Sequence, residues 1–158
     1  MFDFIKKILG SKSDKDLKDI YPLVDKINLE FNKLKALSDD ELRNKTFEFK
    51  ELVQNNLKKS DQEINNLREK YKKSEGSLSE KENILNEIDS IKESQKEIIE
   101  KCLNGLLPEA FAVVKETARR FTENESLEVT ATDFDREIAS KKDNVEIDGS
   151  WAIWYNEW

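Results

Sequence analysis

From about Gln54 to Asn104 the chain is almost wholly Lys, Glu, Asp, Asn, Gln and Ser around spaced leucines and isoleucines. This narrow stripe constrains the fold more than any other feature. Leu57, Ile64, Tyr71, Leu78 and Leu85 recur every seven residues, with Leu67 and Ile88 at the intervening d-type positions. A seven-residue repeat of this kind is the seam of a coiled coil. Ser74-Glu75-Gly76-Ser77 interrupts it with breakers, and Gly76 suits the position just past a helix C-terminus. Ser79 with Glu82 offers a cap for a second helix carrying Ile84, Leu85, Ile88, Ile91, Ile98, Ile99 and Leu103. Each stripe alone is too thin to be stable, so an antiparallel helical hairpin is predicted. One continuous helix paired with another chain is the alternative.

The rest of the composition narrows the chemistry. With 158 residues, 37% hydrophobic and 39% charged, the chain suits one ordinary domain of elongated helices better than a large compact core. The net charge of −7 supplies no positive field to draw nucleic acid in. There is no histidine, so zinc sites of the HExxH kind, Ser-His-Asp triads and Cys-His pairs are excluded. Cys102 is the single cysteine, which permits neither an internal disulfide nor a thiolate metal cluster and suits a reducing cytoplasm. The four glycines lie too far apart for a phosphate-cradling loop. Among 34 acidic residues no carboxylate pair stands out. The expectation is a chain without catalytic, cofactor or metal residues of its own.

At the N-terminus, Met1 to Leu9 reads MFDFIKKIL. On a helical wheel Phe2, Phe4, Ile5, Ile8 and Leu9 fill one broad arc, with Asp3, Lys6 and Lys7 opposite. The lysines interrupt any signal-peptide core, and the run is far short of the roughly 20 apolar residues that span a bilayer. Attachment to an anionic membrane, docking on a partner and packing on its own protein all stay open. Ser11 to Asp14 then offers a cap before Leu17, Ile20, Tyr21, Val24, Ile27, Leu29 and Phe31, where Pro22 predicts a bend or a new first turn. Ser38 and Glu41 form a capping box with acids on the positive helix end, and Phe47, Leu52 and Val53 extend the stripe beyond it.

After Asn104 the character changes. Gly105-Leu106-Leu107-Pro108 ends the hairpin and puts Pro108 in the first turn of a new helix. There Leu107, Phe111, Val114, Ala118 and Phe121 share a face built to be buried, and Ala110 and Ala112 allow close approach. Arg119 and Arg120 read as complements of the helix dipole rather than as an anion site. Leu127, Val129 and Ala131 alternate as a strand, and Thr132 caps a short helix through DFDREIASKK. Val145 to Ile147, Asp148-Gly149 and Trp151 to Tyr155 form a β-hairpin with a tight turn. Trp151, Trp154 and Trp158 crowd the last eight residues, either as an aromatic platform or to pack against further sequence.

The run LLPEAFAVVKETARRF resembles an early helix of the SecA family, the ATP-driven motors of bacterial preprotein export. FIKKILGSKSDKDLKDI and LSDDELRNKTFEFKELV agree with that family in order and spacing. The stretch from about Gln54 to Leu103, where simpler members have a short connection, is a helical insertion. Together with VTATDFDREIA it is similar to SecA proteins of the Bacteroidetes type.

The resemblance implies three segments: an N-terminal helical part at 1–53, the hairpin insertion at 54–104, and the start of an α/β RecA-like motor domain at 105–158. It also implies ATP and Mg as cofactors of the full-length family, and the SecYEG channel, preproteins and an anionic membrane surface as partners, with a homodimer also compatible. The expected location is cytoplasmic, peripheral on the inner face of the cell membrane. Phe2, Phe4, Ile5, Lys6, Lys7, Ile8 and Leu9 are the expected membrane or channel contacts. No residue matches the family's nucleotide-binding motifs, so the chain alone is not expected to hydrolyse ATP. The competing reading is a free-standing helical adaptor whose hairpin and N-terminus recruit a partner or lipid.

Overall fold

A computed structural model of the chain describes residues 12–156. Three long helices, α1 (Lys12–Leu34), α2 (Asp39–Lys73) and α3 (Leu78–Glu123), precede a small α/β segment. That segment runs β1 (Ser126–Thr130), α4 (Asp133–Ala139), β2 (Val145–Asp148) and β3 (Trp151–Tyr155). The fold is mainly α with a small antiparallel sheet, as the sequence predicts. Two compact units emerge: one takes in the chain up to Lys45 and from Pro108 onward, the other is Thr46–Leu107.

The second unit is the hairpin. Ile64 and Leu67 of α2 pack on Ile84 and Ile88 of α3, and Ile91 joins them. Partly buried Val53, Leu57 and Ser60 on α2, and Lys81, Gln95, Ile98 and Cys102 on α3, complete a four-three spacing on each helix. Near the turn Lys81 lies over the Tyr71 ring, while farther along Gln95 donates to Ser60 Oγ at 2.9 Å and Asp61 Oδ1 at 2.7 Å. Contacts running in opposite senses along the two helices make the pair antiparallel.

The seven-residue column of the sequence does not survive the turn. Leu78 is 84% exposed and Leu85 45% exposed, because the break at 74–77 resets the helical phase. The buried column on α3 follows Ile84, Ile88 and Ile91 instead. The cap also moves: Ser77 Oγ accepts from Glu80 N, and Glu80 Oε2 accepts from Ser77 N at 3.1 Å, two residues before the expected Ser79 and Glu82. Gly76 is not left-handed. A Cβ there would meet only side-chain atoms of Glu80 and Ser74, so the carboxylate of Glu80 would have to move aside.

Neither proline opens a new helix. Pro22 lies inside α1, and Pro108 lies inside the 46-residue α3 rather than opening a new helix. Proline in a helix interior removes one backbone hydrogen bond and crowds the preceding turn.

In the first unit Leu34, Leu42 and Ala112 form a small core, flanked by Ile27, Phe31, Leu37 and Val113. The capping box at the start of α2 is as predicted: Glu41 N donates to Ser38 Oγ at 3.2 Å and Ser38 N to Glu41 Oε2 at 2.7 Å. The strands lie in the order β1-β3-β2, all antiparallel. Asp148 pairs with Trp151, so Gly149 and Ser150 form a two-residue loop. Gly149 has φ +57°, the left-handed value a glycine adopts at the first central position of such turns.

Candidate functional site

The first turn of α2 places three charged residues at the junction of α1, α3 and the sheet. The Ser38 cap orients Asp39, Asp40 and, one turn on, Arg43, and each reaches a different element.

Asp39 reaches α3. Its Oδ1 accepts from Arg120 Nη1 at 2.5 Å. Arg120 Nη2 donates to the carbonyls of Leu37 at 2.6 Å and Leu34 at 3.3 Å, the second of which also accepts from Leu37 N at 3.0 Å in the turn that ends α1. Arg120 Nε donates to Glu116 Oε1 at 2.9 Å. Glu116 is wholly buried, and Arg119 holds both its oxygens, at 2.7 and 2.8 Å. The Arg119 hydrogen bonds outweigh burial and, with Arg120, hold the Glu116 carboxyl down to about 2. Arg119 also pairs with Glu123.

Asp40 and Arg43 reach the sheet and α4. Asp40 accepts from Thr130 N at 2.8 Å and Thr130 Oγ1 at 2.6 Å, at the end of β1. Arg43 Nη2 donates to Asp135 Oδ2 at 2.6 Å and to Thr132 Oγ1 at 3.0 Å. Asp135 is fully buried and closes a capping box with Thr132, the residue the sequence names as the cap. Its other oxygen accepts from Trp154 Nε1 at 3.1 Å. Burial opposes ionisation of Asp135, but the Thr132 and Arg43 hydrogen bonds prevail and keep its carboxyl below the usual range.

This arrangement binds elements together. An open cleft of about 480 Å³ lies beside it, lined by Lys35, Arg119, Arg120, Asn124 and Ser126. Both arginines already face carboxylates. Gly149 sits in a hairpin turn and Gly105 inside a helix, so the described residues assemble no backbone cradle for a triphosphate. The described residues do not form a site that fits ATP. Among the described residues no group of three or more carboxylates and thiols could hold a metal ion.

The predicted contact residues Phe2, Phe4, Ile5, Lys6, Lys7, Ile8 and Leu9 lie outside the described residues. The predicted buried face of α3 is corrected. Phe111 is 53% exposed and Val114 66%, and the buried column is Ala112, Glu116 and Arg120. Composition hid that column, because two of its three members are charged. Glu116 and Arg120 at i,i+4 are its sequence signal. Trp154 is used internally, bonded to Asp135 and stacked on Phe134, while Trp151 stays half exposed.

The family model for the SecA DEAD-like domain matches residues 5–134, across both units. The chain belongs to the SecA family. It is 44% identical to the protein translocase subunit SecA of Bacteroides fragilis over 99% of the chain and 14% of that relative. The SecA subunit of Amoebophilus asiaticus is 44% identical over the whole chain, again 14% of the relative. That of Porphyromonas gingivalis is 38% identical over 99% of the chain. The chain therefore spans about 14% of the length of these curated SecA relatives, hairpin included. No solved structure matches it. No described helix of this SecA chain is long and apolar enough to cross a membrane.

Proposed function

We propose that this chain is the front part of a SecA motor that couples ATP hydrolysis to moving preproteins through the SecYEG channel at the inner face of the cell membrane. The observation that carries the reading is the match to translocase subunits along nearly the whole chain, 14% of their length. ATP and Mg bind elsewhere in such a motor. The segments proposed are a helical part at 1–53, a hairpin insertion at 54–104 and the start of the motor domain from 105. The Asp39–Arg120 and Arg43–Asp135 links hold the start of α2 to α3 and to α4. The amphipathic Met1 to Leu9 segment contributes attachment to anionic lipid or to the channel.

The test is the size and activity of the native product. An antibody raised against residues 54–104 should detect a band far heavier than 18.5 kDa, and that product should hydrolyse ATP faster with a preprotein present. A band at 18.5 kDa alone would overturn the reading in favour of a helical adaptor. For the N-terminus, binding of the chain to anionic vesicles should weaken with salt and with the Phe4→Glu, Ile8→Glu pair.

A further inference from the structure

We propose that the hairpin of a second copy of this chain docks antiparallel on one flank of α3, with Lys92 at the two-fold axis. Ile84, Ile88, Ile91 and Gln95 face α2 across the seam. Beside them Leu78, Leu85, Lys92, Ile99 and Leu106 recur every seven residues on a single flank. Leu78 and Leu85 are exposed, Ile99 and Leu106 only partly covered, and exposed Leu103 widens the band. A two-helix hairpin has no use for such a column. Positions flanking a coiled-coil seam ordinarily carry charges, and the other flanks follow that rule. The opposite side of α3 bears Glu80, Glu87, Ser94 and Lys101, and those of α2 bear Asp61 with Arg68 and Glu63 with Lys70, all exposed. An apolar stripe wider than the seam belongs to a helix with neighbours on two sides.

The order of the column identifies the neighbour. It reads Leu, Leu, Lys, Ile, Leu, symmetric about Lys92. A two-fold axis there sets Leu78 against Leu106 of the other copy and Leu85 against Ile99, each pair occurring twice. A two-fold interface needs that self-complementarity, because the same surface serves both partners. The charges agree with it. Asp89 falls opposite Lys96, and each Lys92 lies between the Asp89 carboxylates of the two copies. In the single chain these side chains make only exposed pairs with residues one turn away, Asp89 with Lys92 at 2.8 Å and Lys96 with Glu93 at 2.5 Å. Such surface pairs are weak and exchange readily. A parallel pairing would instead oppose Asp89 to Asp89 and Lys96 to Lys96. The contact lies wholly within the hairpin and requires neither nucleotide nor channel, so its failure would leave the motor reading standing.

The test is sedimentation equilibrium of the full 158-residue chain over a concentration series. The mass should climb from 18.5 kDa toward twice that value. Leu78→Glu with Leu85→Glu should hold it at the monomer value with helicity unchanged, since both side chains are exposed. Asp89→Lys should weaken the dimer by on the order of tenfold, and adding Lys96→Asp should restore it. Cross-linking checks the register in a Cys102→Ser background, independently of how the glutamate variant folds. Lys92→Cys should couple to itself through a short bis-maleimide, because a residue at a two-fold axis meets its own copy. Leu85→Cys alone should not, as the two thiols would stand about 21 Å apart along the helix. A mass fixed at 18.5 kDa at every concentration would overturn the pairing. So would a dimer that survives the two glutamates, or Leu85→Cys coupling as readily as Lys92→Cys.

Discussion

Arg120 and Asp39 lie 81 residues apart in sequence and 2.5 Å apart in space. Through that pair the C-terminal part of α3 closes on the first turn of α2, and the same guanidinium bonds the carbonyls of Leu34, the last residue of α1, and of Leu37 in the turn beyond it. One side chain therefore serves three helices.

Replacing Arg120 by Ala leaves Glu116 buried with Arg119 alone and removes the hydrogen bonds Arg120 gives to the Leu34 and Leu37 carbonyls. Removing one partner of a buried ion pair costs about 3–5 kcal/mol. The urea midpoint should fall accordingly. Arg119→Ala, at a side chain one-third exposed, should cost less, because Arg120 still faces Glu116.

Acid should weaken the fold in a defined window. The carboxyl of Glu116 is held at about 2 in the folded chain against 4.5 ordinarily. A depressed folded value means its stabilisation is fully present above 4.5 and fades as pH falls toward 2. Asp135 acts with the same sign. Urea midpoints followed down through that window should drop, and Glu116→Gln should flatten part of the slope.

The exposed and buried faces of α3 should respond in opposite ways. Phe111→Ser, at a surface position, should change stability by only about 0.5 kcal/mol either way. Ala112→Leu adds volume where exposure is zero, against Leu34 and Leu42, and should cost about 1–3 kcal/mol. Thermal melts of the two variants would reverse this order if the face read from the sequence were the buried one.

Trp154→Phe keeps the stacking on Phe134 but removes the donor to Asp135. The expected loss is about 1–2 kcal/mol, localised to the sheet and α4. Amide exchange should accelerate in β3 and α4 and stay unchanged in the hairpin.

Gln95→Leu should raise the melting temperature of the hairpin while loosening its register. A polar residue at a seam position specifies alignment at some expense in stability. Cysteine pairs placed for the native register, in a Cys102→Ser background, should cross-link less selectively in that variant.

The capping boxes were legible because they are contacts over three residues. Ser38 with Glu41 and Thr132 with Asp135 need only the local backbone, so residue type and spacing reveal them. The β-hairpin was legible for the same reason, with Gly149 supplying the turn. The Ser77–Glu80 cap was misplaced by two residues because SEGSLSE offers serines in both registers and only packing at Ile84 and Ile88 selects one. The links made by Asp39, Asp40 and Arg43 were not legible, since each joins residues 81 to 92 apart.

The sequence by itself determined the helices, the antiparallel hairpin, the turns and the family, all of which rest on short-range pattern or on residue order. Only the tertiary structure decided that α3 runs unbroken through Pro108, and that it buries Ala112, Glu116 and Arg120 rather than Phe111 and Val114. A helix buries the face its neighbours reach. Here those neighbours come from the end of α1, the turn after it and the start of α2, and they offer an acidic side chain and the Leu34 and Leu37 carbonyls, which an arginine answers better than a phenylalanine.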